Sequence, residues 1–282
     1  MPDLAYLNGD IMPIEKATVP IEDRGYQFGD GVYEYIASYA GRLFMLGAHL
    51  DRLERSMGGL DFPPIPRSRI KAAIVDLFER AGYDRAGIYI QITRGVAPRN
   101  HAFDPTLSPQ VVMTIRQINA LPENLHRDGI TAITVRDIRW GRCDIKTIQL
   151  LANSLAKQKA LSEGHSDAIF ISDQNVVREG TSSNLFIVKG GQLITHPLTP
   201  NILPGITRMA IIDICRETDL KIDESFFTTD ALYHADEVFL TGTVTEVMPV
   251  TQIDGRCIGD GNVGPLTRKL YDGLRQKALA GA

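Results

Sequence analysis

Residues 142–160 read RCDIKTIQLLANSLAKQKA, and the place of one lysine in them decides how the chain is understood. Ile148, Leu151, Ala152 and Leu155 recur at helical spacing and predict an amphipathic helix with that face toward a core. Asp144 stands where an N-cap belongs. Lys157 and Lys159 lie near the far end, where a cation suits the helix dipole. Lys146 falls in the first turn, where the positive pole disfavours an ammonium. A solvated surface lysine is the plain reading of that residue alone. The chemical reading is that the dipole and partial burial favour the neutral amine, the form that condenses with an aldehyde.

The chain has 282 residues, 44% hydrophobic and 23% charged, with a formal net charge of -4. This is the composition of a globular protein with a sizeable core. The acidic balance argues against a nucleic-acid partner, which calls for a basic face. Three scattered cysteines, Cys143, Cys215 and Cys257, form no CxxC pair and read as reduced thiols. The start, MPDLAYLNGDIMPIEKATV, has no basic segment leading into an apolar one, so no signal peptide is expected. No apolar run approaches membrane-spanning length. A cytoplasmic protein with no membrane partner is expected.

Strand and helix patterns alternate, predicting a mixed α/β (α+β) chain of two domains. GVYEYIASYAGRLFML reads as a hairpin with Tyr33, Tyr35 and Ala37 on one face and Val32, Glu34 and Ile36 on the other. LGAHLDRLERSMGGL and SRIKAAIVDLFERAG read as helices ending at glycine. AGIYIQITRG and QVVMTIRQI read as strands, joined by the polar loop VAPRNHAFDPTLSP. Around Pro122, residues 119–124 are the expected linker, dividing a first domain, 1–118, from a second, 125–282. The second carries the strands DAIFIS, SSNLFIVKGGQLITH and EVFLTGTVTEVMPV, and the helices GITRMAIIDICRET and GPLTRKLYDGLRQKAL. A ligand site between the two domains is expected.

GDGNVG, residues 259–264, fits GxGxxG, but no strand follows to complete a βαβ unit, so a turn and a helix start account for it. The six histidines show no metal-ligand spacing, and no metal is expected. If Lys146 forms a Schiff base, the aldehyde it implies is pyridoxal phosphate. That cofactor needs a carboxylate at its pyridinium nitrogen and an anion site for its phosphate. Glu179, in VVREGTSSNLFIV, lies between two apolar strands and is the candidate carboxylate; a turn residue paired with Arg178 is the plainer alternative. For the phosphate, Pro204-Gly205 precedes a helix whose first N–H groups, of Gly205, Ile206 and Thr207, form an anion site. Thr241-Gly242-Thr243, after the strand EVFL, offers a second polar turn. Arg52, off the apolar stripe of its helix, offers a cation.

In their order and wording these segments resemble the fold-type IV pyridoxal-phosphate enzymes, the group of branched-chain and D-amino-acid aminotransferases. The matching pieces are DRGYQFGDGVYEYI, HLDRLERS, QITRGVAPRNHAF, CDIKTIQLLANSLAKQKA, REGTSSNLF, LPGITR and GTVTEVMPV. The resemblance implies a smaller N-terminal α/β domain and a larger, barrel-like C-terminal one, with the cofactor between them in a homodimer. It implies that Lys146 is the Schiff-base lysine, which then shuttles the proton between Cα and C4′. Glu179 would hold the pyridine nitrogen, and Arg52, Ile206, Thr207 and Thr243 the phosphate. TRGVAPRNH is similar to the D-amino-acid aminotransferases, in which the residues matching Arg99 and His101 hold the substrate carboxylate with one matching Tyr33. They reach the site from the neighbouring subunit.

Leu151 stands where branched-chain aminotransferases carry a tyrosine. Tyr35 departs from the aliphatic residue expected in D-amino-acid aminotransferases and bears on the substrate side chain. The function expected is transfer of the amino group of D-alanine, or a similar D-amino acid, to 2-oxoglutarate. The alternatives on this fold are a branched-chain L-aminotransferase, an (R)-amine transaminase and a 4-amino-4-deoxychorismate lyase. Outside enzymes, the alternative is an inactive metabolite-binding dimer.

Overall fold

The computed structural model describes residues 3–280. Contacts group the chain through Asn119, with Ile145–Gln149, into one unit, and the stretches 120–144 and 150–280 into another.

The first unit contains β1 (Leu4–Leu7), β2 (Asp10–Pro13), α1 (Arg24–Phe28), β3 (Gly31–Tyr39), β4 (Arg42–Leu43), α2 (Leu46–Gly58), α3 (Arg67–Ala81), β5 (Ala86–Thr93) and β6 (Gln110–Gln117). Its sheet runs β2-β1-β6-β5-β3-β4, with every adjacent pair antiparallel. Alternation along the strands sends Val32 and Ile36, and Ile88, Ile90 and Ile92, to one face. There they pack with Leu50, Leu53 and Met57 of α2 and with Ile70, Ile74 and Leu77 of α3. Both helices carry the apolar stripe their sequences announce. Glu34 lies on the same core face between Val32 and Ile36, only 1% exposed.

The second unit adds α4 (Glu123–Asp128), β7 (Ile130–Arg136), α5 (Leu151–Ser162), β8 (Asp167–Ile171), β9 (Val177–Gly180), β10 (Asn184–Lys189) and β11 (Gln192–Thr195). It continues with α6 (Ile206–Glu217), β12 (Ile222–Glu224), α7 (Thr229–Tyr233), β13 (Glu237–Gly242), β14 (Glu246–Ile253), β15 (Arg256–Cys257) and α8 (Pro265–Ala280). Strands β10-β13-β14-β7-β8-β9 form a ring, which closes where Asn184 of β10 pairs with Glu179 of β9. Closure of the ring removes its sheet edges. Ile169, Val177, Leu185, Ile187, Val238, Leu240, Met248 and Val250 contribute to the apolar core of this unit. The mixed α/β class and the barrel-like larger sheet agree with the sequence expectation. GDGNVG forms the turn before α8, with Gly259 and Gly261 at positive φ.

The opening stretch differs from its expectation. The helix begins at Leu151, and Leu150, its N-cap, makes no side-chain capping bond. Asp144 instead pairs with Arg142. Leu151 and Leu155, expected in the core, are 73% and 56% exposed, while Ala156 and Ala160 are buried. Lys146 is therefore not in a first helical turn, and the dipole argument for it does not apply. The reason lies in the backbone of residues 145–148, which bonds to β3. Tyr33 N donates to the Lys146 carbonyl at 2.9 Å, Ile148 N donates to the Gly31 carbonyl at 3.1 Å, and Val32 bridges Thr147. Extended pairing along β3 competes with helix for the same backbone groups. Glycine at position 31 eases the close approach, since a Cβ there would stand 2.8 Å from the Ile148 side chain and 3.0 Å from the Ile92 carbonyl oxygen.

Candidate active site

In the first unit, β3 and the segment it pairs with bring Tyr33 and Lys146 together. Lys146 Nζ lies 4.1 Å from the centroid of the Tyr33 ring, a cation–π distance. The Lys146 backbone is fixed from two sides, its N–H donating to Ser56 Oγ at 3.1 Å and its carbonyl accepting from Tyr33 N. The side chain is half-buried. These two bonds use backbone atoms of Lys146 and none of its side chain.

Arg52 lies in the same unit, on α2, where it pairs with Glu34 of β3. Its Nε donates to Glu34 Oε1 at 2.7 Å and its Nη2 to Glu34 Oε2 at 2.8 Å, a two-pronged pair of the kind that fixes a guanidinium in one orientation. His49 Nδ1 contacts the same Glu34 Oε2 at 2.7 Å. Burial alone would raise the Glu34 pKa, but Arg52 and His49 outweigh it and hold the carboxyl at about 2. Burial is also the largest influence on His49, lowering its pKa against the opposing pull of Glu34. Sequence placed Arg52 but missed Glu34 and His49 as its partners. The signal was present: a carboxylate on the core face of a strand needs a cation.

Tyr35, two residues along β3, is half-buried and pairs in register with Tyr89 of β5. The Tyr33 and Tyr89 rings lie 5.7 Å apart. Arg99 and His101 are exposed on the loop between β5 and β6. Both lie close to Phe28, the Arg99 guanidinium 4.9 Å and the His101 ring 5.5 Å from its ring centroid.

In the second unit, Glu179 is 4% exposed at the seam that closes the barrel. Its Oε1 accepts from Arg139 Nη1 at 2.5 Å. Its Oε2 accepts from Asn184 Nδ2 and from Leu203 N, each at 3.0 Å. Burial raises the Glu179 pKa, with Arg139 and the Leu203 N–H pulling it back. A buried carboxylate in that balance gains from a further positive charge. Arg178, the partner considered from sequence, bonds Asp137 instead. Sequence missed Arg139, which donates to Asp137, Glu179 and the Asn201 carbonyl. Asp137 and Arg139, two apart just beyond a strand, were the available clue.

Asn184 links this carboxylate to the start of α6, since its Nδ2 also donates to the Leu203 carbonyl at 2.8 Å. Gly205 is the N-cap of α6 and makes no side-chain bond there. A Cβ at Gly205 would fall 2.0 Å from Asn184 Oδ1, so only glycine admits this approach. Ile206 and Thr207 follow, both buried. Their N–H groups, in the first turn, have no partner within the helix and favour an anion. Gly242 and Thr243 lie at the end of β13, against which α6 packs. Asn184 pairs in register with Thr241, next to that turn. Thr241 Oγ1, Ser183 Oγ and Thr245 Oγ1 are buried without a hydrogen-bond partner among the described residues. Hydroxyl donors beside a helix start, and a carboxylate that gains from a cation, fit a phosphorylated pyridinium in chemical type.

Residues 31–253 match the family described as amino-transferase class IV. The chain is 44% identical over 275 residues to a D-alanine aminotransferase of Bacillus licheniformis, covering 97% of this chain and 96% of that one. It is 42% identical to a D-alanine aminotransferase of Staphylococcus haemolyticus, covering 96% of each. Among solved structures it superposes on the branched-chain amino acid aminotransferase of Escherichia coli at TM-score 0.93 and 27% identity, covering 100% of this chain and 96% of that one. It superposes on the branched-chain aminotransferase of Thermoproteus uzoniensis, with norvaline, at TM-score 0.89 and 28% identity, covering 99% of this chain and 95% of that one. The matched span takes in Tyr33 and Lys146, the buried carboxylate of Glu179 and the start of α6, and by it the chain belongs to the class IV aminotransferase family.

Proposed function

We propose that this chain is a pyridoxal-phosphate-dependent D-amino-acid transaminase, moving the amino group of D-alanine or a similar D-amino acid to 2-oxoglutarate. One observation carries the stereochemical choice. Identity is 42–44% to D-alanine aminotransferases across nearly the whole chain, against 27–28% for the branched-chain structures above.

Lys146 would be the residue that holds the cofactor, and its Nζ would take the proton from the substrate Cα and return it on the cofactor side. Glu179 would hold the ring nitrogen, with Arg139 opposing the rise that burial imposes on that carboxyl. The residues proposed for the phosphate are Arg52, which Glu34 fixes, Gly205, Ile206 and Thr207 at the start of α6, and Gly242 and Thr243. When bound, the cofactor supplies an electron-poor ring that accepts the electron pair left at Cα. Arg99 and His101, with Tyr33, hold the substrate carboxylate, a guanidinium being the fork-shaped donor for that group. Tyr35 bears on the substrate side chain. We further propose that the chain acts as a homodimer in the cytoplasm, with Arg99 and His101 serving the neighbouring subunit's site. The three free cysteines are consistent with a reducing compartment. Among the described residues no helix is long and apolar enough to cross a membrane.

The test is steady-state turnover with D-alanine and 2-oxoglutarate. Formation of pyruvate only when both are present supports the proposal. Turnover with L-leucine but not D-alanine would move the assignment to branched-chain substrates, and release of 4-aminobenzoate from 4-amino-4-deoxychorismate would make it a lyase.

A further inference from the structure

Arg24, in the first turn of α1, is 4% exposed, although it touches none of the groups assigned above to the cofactor. Its Nε donates to Asp30 Oδ2 at 2.8 Å. Its two remaining nitrogens point into the β5–β6 loop, Nη1 donating to the Asn100 carbonyl at 2.6 Å and Nη2 to the His101 carbonyl at 3.2 Å. One planar guanidinium thus fastens two consecutive peptide units, immediately after Arg99 and at His101 itself. The side chains of Arg99, Asn100 and His101 are exposed, with Arg99 and His101 lying against the Phe28 ring, so burial does little to fix the loop at this point. An exposed loop otherwise keeps conformational freedom that binding must remove.

The anchor is itself held. Asp30 also accepts from Arg94 Nε, at 2.9 Å and 3.0 Å. Arg24 N donates to the Gly95 carbonyl, and Ala97 N to the Glu22 carbonyl, so α1 and the loop are tied along their backbones as well. Phe103, farther along the loop, lies over the Arg94 guanidinium at 3.8 Å. The N-cap Asp23 receives Gly25 N and the Thr93 hydroxyl, joining the start of α1 to the end of β5.

We propose that Arg24 is a positioning residue for the substrate carboxylate: through the Asn100 and His101 carbonyls it sets where Arg99 and His101 present their side chains. This rests on the assignment of Arg99 and His101 to the carboxylate. Arg24 contacts no substrate; its contribution is to pre-order the loop. A lysine in its place keeps the charge beside Asp30 but lacks the planar fork that holds Asp30 and the two carbonyls from three separate nitrogens.

The test uses the holoenzyme and the D-alanine half-reaction, followed by cofactor absorbance. Arg24→Met and Arg24→Lys are compared with Arg99→Met. Both Arg24 variants are expected to raise the D-alanine concentration at half-saturation about tenfold, in keeping with loss of charge-assisted hydrogen bonds. Their limiting rate stays within about twofold of wild type, as for lost binding. Amides of residues 97–103 exchange faster, and the bound-cofactor spectrum is unchanged. Arg99→Met raises the same half-saturation value by at least as much. If Arg99→Met raises it and neither Arg24 variant does, the positioning role is wrong and the carboxylate assignment stands. If Arg99→Met also leaves it unchanged, the carboxylate assignment fails and the positioning role fails with it.

Discussion

Lys146 and Tyr33 are joined twice, by a 2.9 Å hydrogen bond from the Tyr33 N–H to the Lys146 carbonyl and by the Lys146 amine standing 4.1 Å from the Tyr33 ring. The amine proposed to react and the phenol proposed for the substrate carboxylate are therefore both placed by one strand, β3. Rigid strand pairing holds catalytic groups to closer tolerance than a loop does.

Lys146→Arg keeps a cation over the Tyr33 ring and cannot form the covalent link to the cofactor. Turnover is expected to fall at least about a thousandfold, the scale of losing a residue that acts in the chemical step, with the far-ultraviolet circular dichroism unchanged. Near-normal turnover in this variant would remove Lys146 from the mechanism.

Thr207→Val removes one hydroxyl from the start of α6 and keeps the volume. Cofactor affinity is expected to weaken about five- to tenfold, equivalent to about 1 kcal/mol for one hydrogen bond, with kcat little changed at saturating cofactor. Titration of the apoenzyme with pyridoxal phosphate measures it. An unchanged affinity would take Thr207 out of the phosphate site.

The Glu34 carboxyl sets an acid limit. Its folded pKa, about 2, lies below the ordinary 4.5. The stability it contributes is thus complete above the ordinary value and drains away as pH falls from there toward about 2. Wild type should exceed Glu34→Gln in urea midpoint at pH 7, and the gap should narrow below about pH 4.5. A gap that is constant with pH would mean Glu34 is not held ionised by Arg52 and His49.

Arg139→Met leaves the Glu179 carboxylate buried without its cation. Removing one member of a buried pair costs about 3 kcal/mol or more, and urea denaturation of the apoenzyme should show it. Added cofactor should recover part of that loss if the ring nitrogen supplies a positive charge to Glu179. A variant as stable as wild type would show that Arg139 does not compensate the buried Glu179 carboxylate.

Asp144→Ala separates the two accounts of the opening stretch. A lost N-cap costs about 1 kcal/mol, whereas loss of a partly exposed pair with Arg142 costs less than about 0.5 kcal/mol. The smaller value is expected from thermal denaturation.

Periodicity was enough for the elements that bury a stripe. Ile88, Ile90 and Ile92, and Leu50, Leu53 and Met57, announce their faces because a core rewards the pattern directly. It failed at residues 144–155. There the competing partner was β3, far off in the chain, and nothing local records that Gly31 and Tyr33 would claim the backbone around Lys146. Leu151 and Leu155 show the same limit, since apolar residues at helical spacing can face outward. The candidate residues were named through resemblance, and of these Glu179 and the stretch leading into α6 are linked through Asn184. The pairings of Glu34, His49, Arg139 and Arg24 were not legible, although Glu34 and Arg139 left local clues. A buried ion pair is made by tertiary neighbours, and sequence shows each member only as a charge.

The most direct test of the central claim is the visible absorption spectrum of the protein reconstituted with pyridoxal phosphate, recorded before and after separate additions of D-alanine and L-leucine. The account predicts a band from the cofactor bound to Lys146 that D-alanine bleaches and L-leucine leaves. Bleaching by L-leucine alone would contradict the D-amino-acid assignment, and the absence of any band would contradict the role of Lys146 itself.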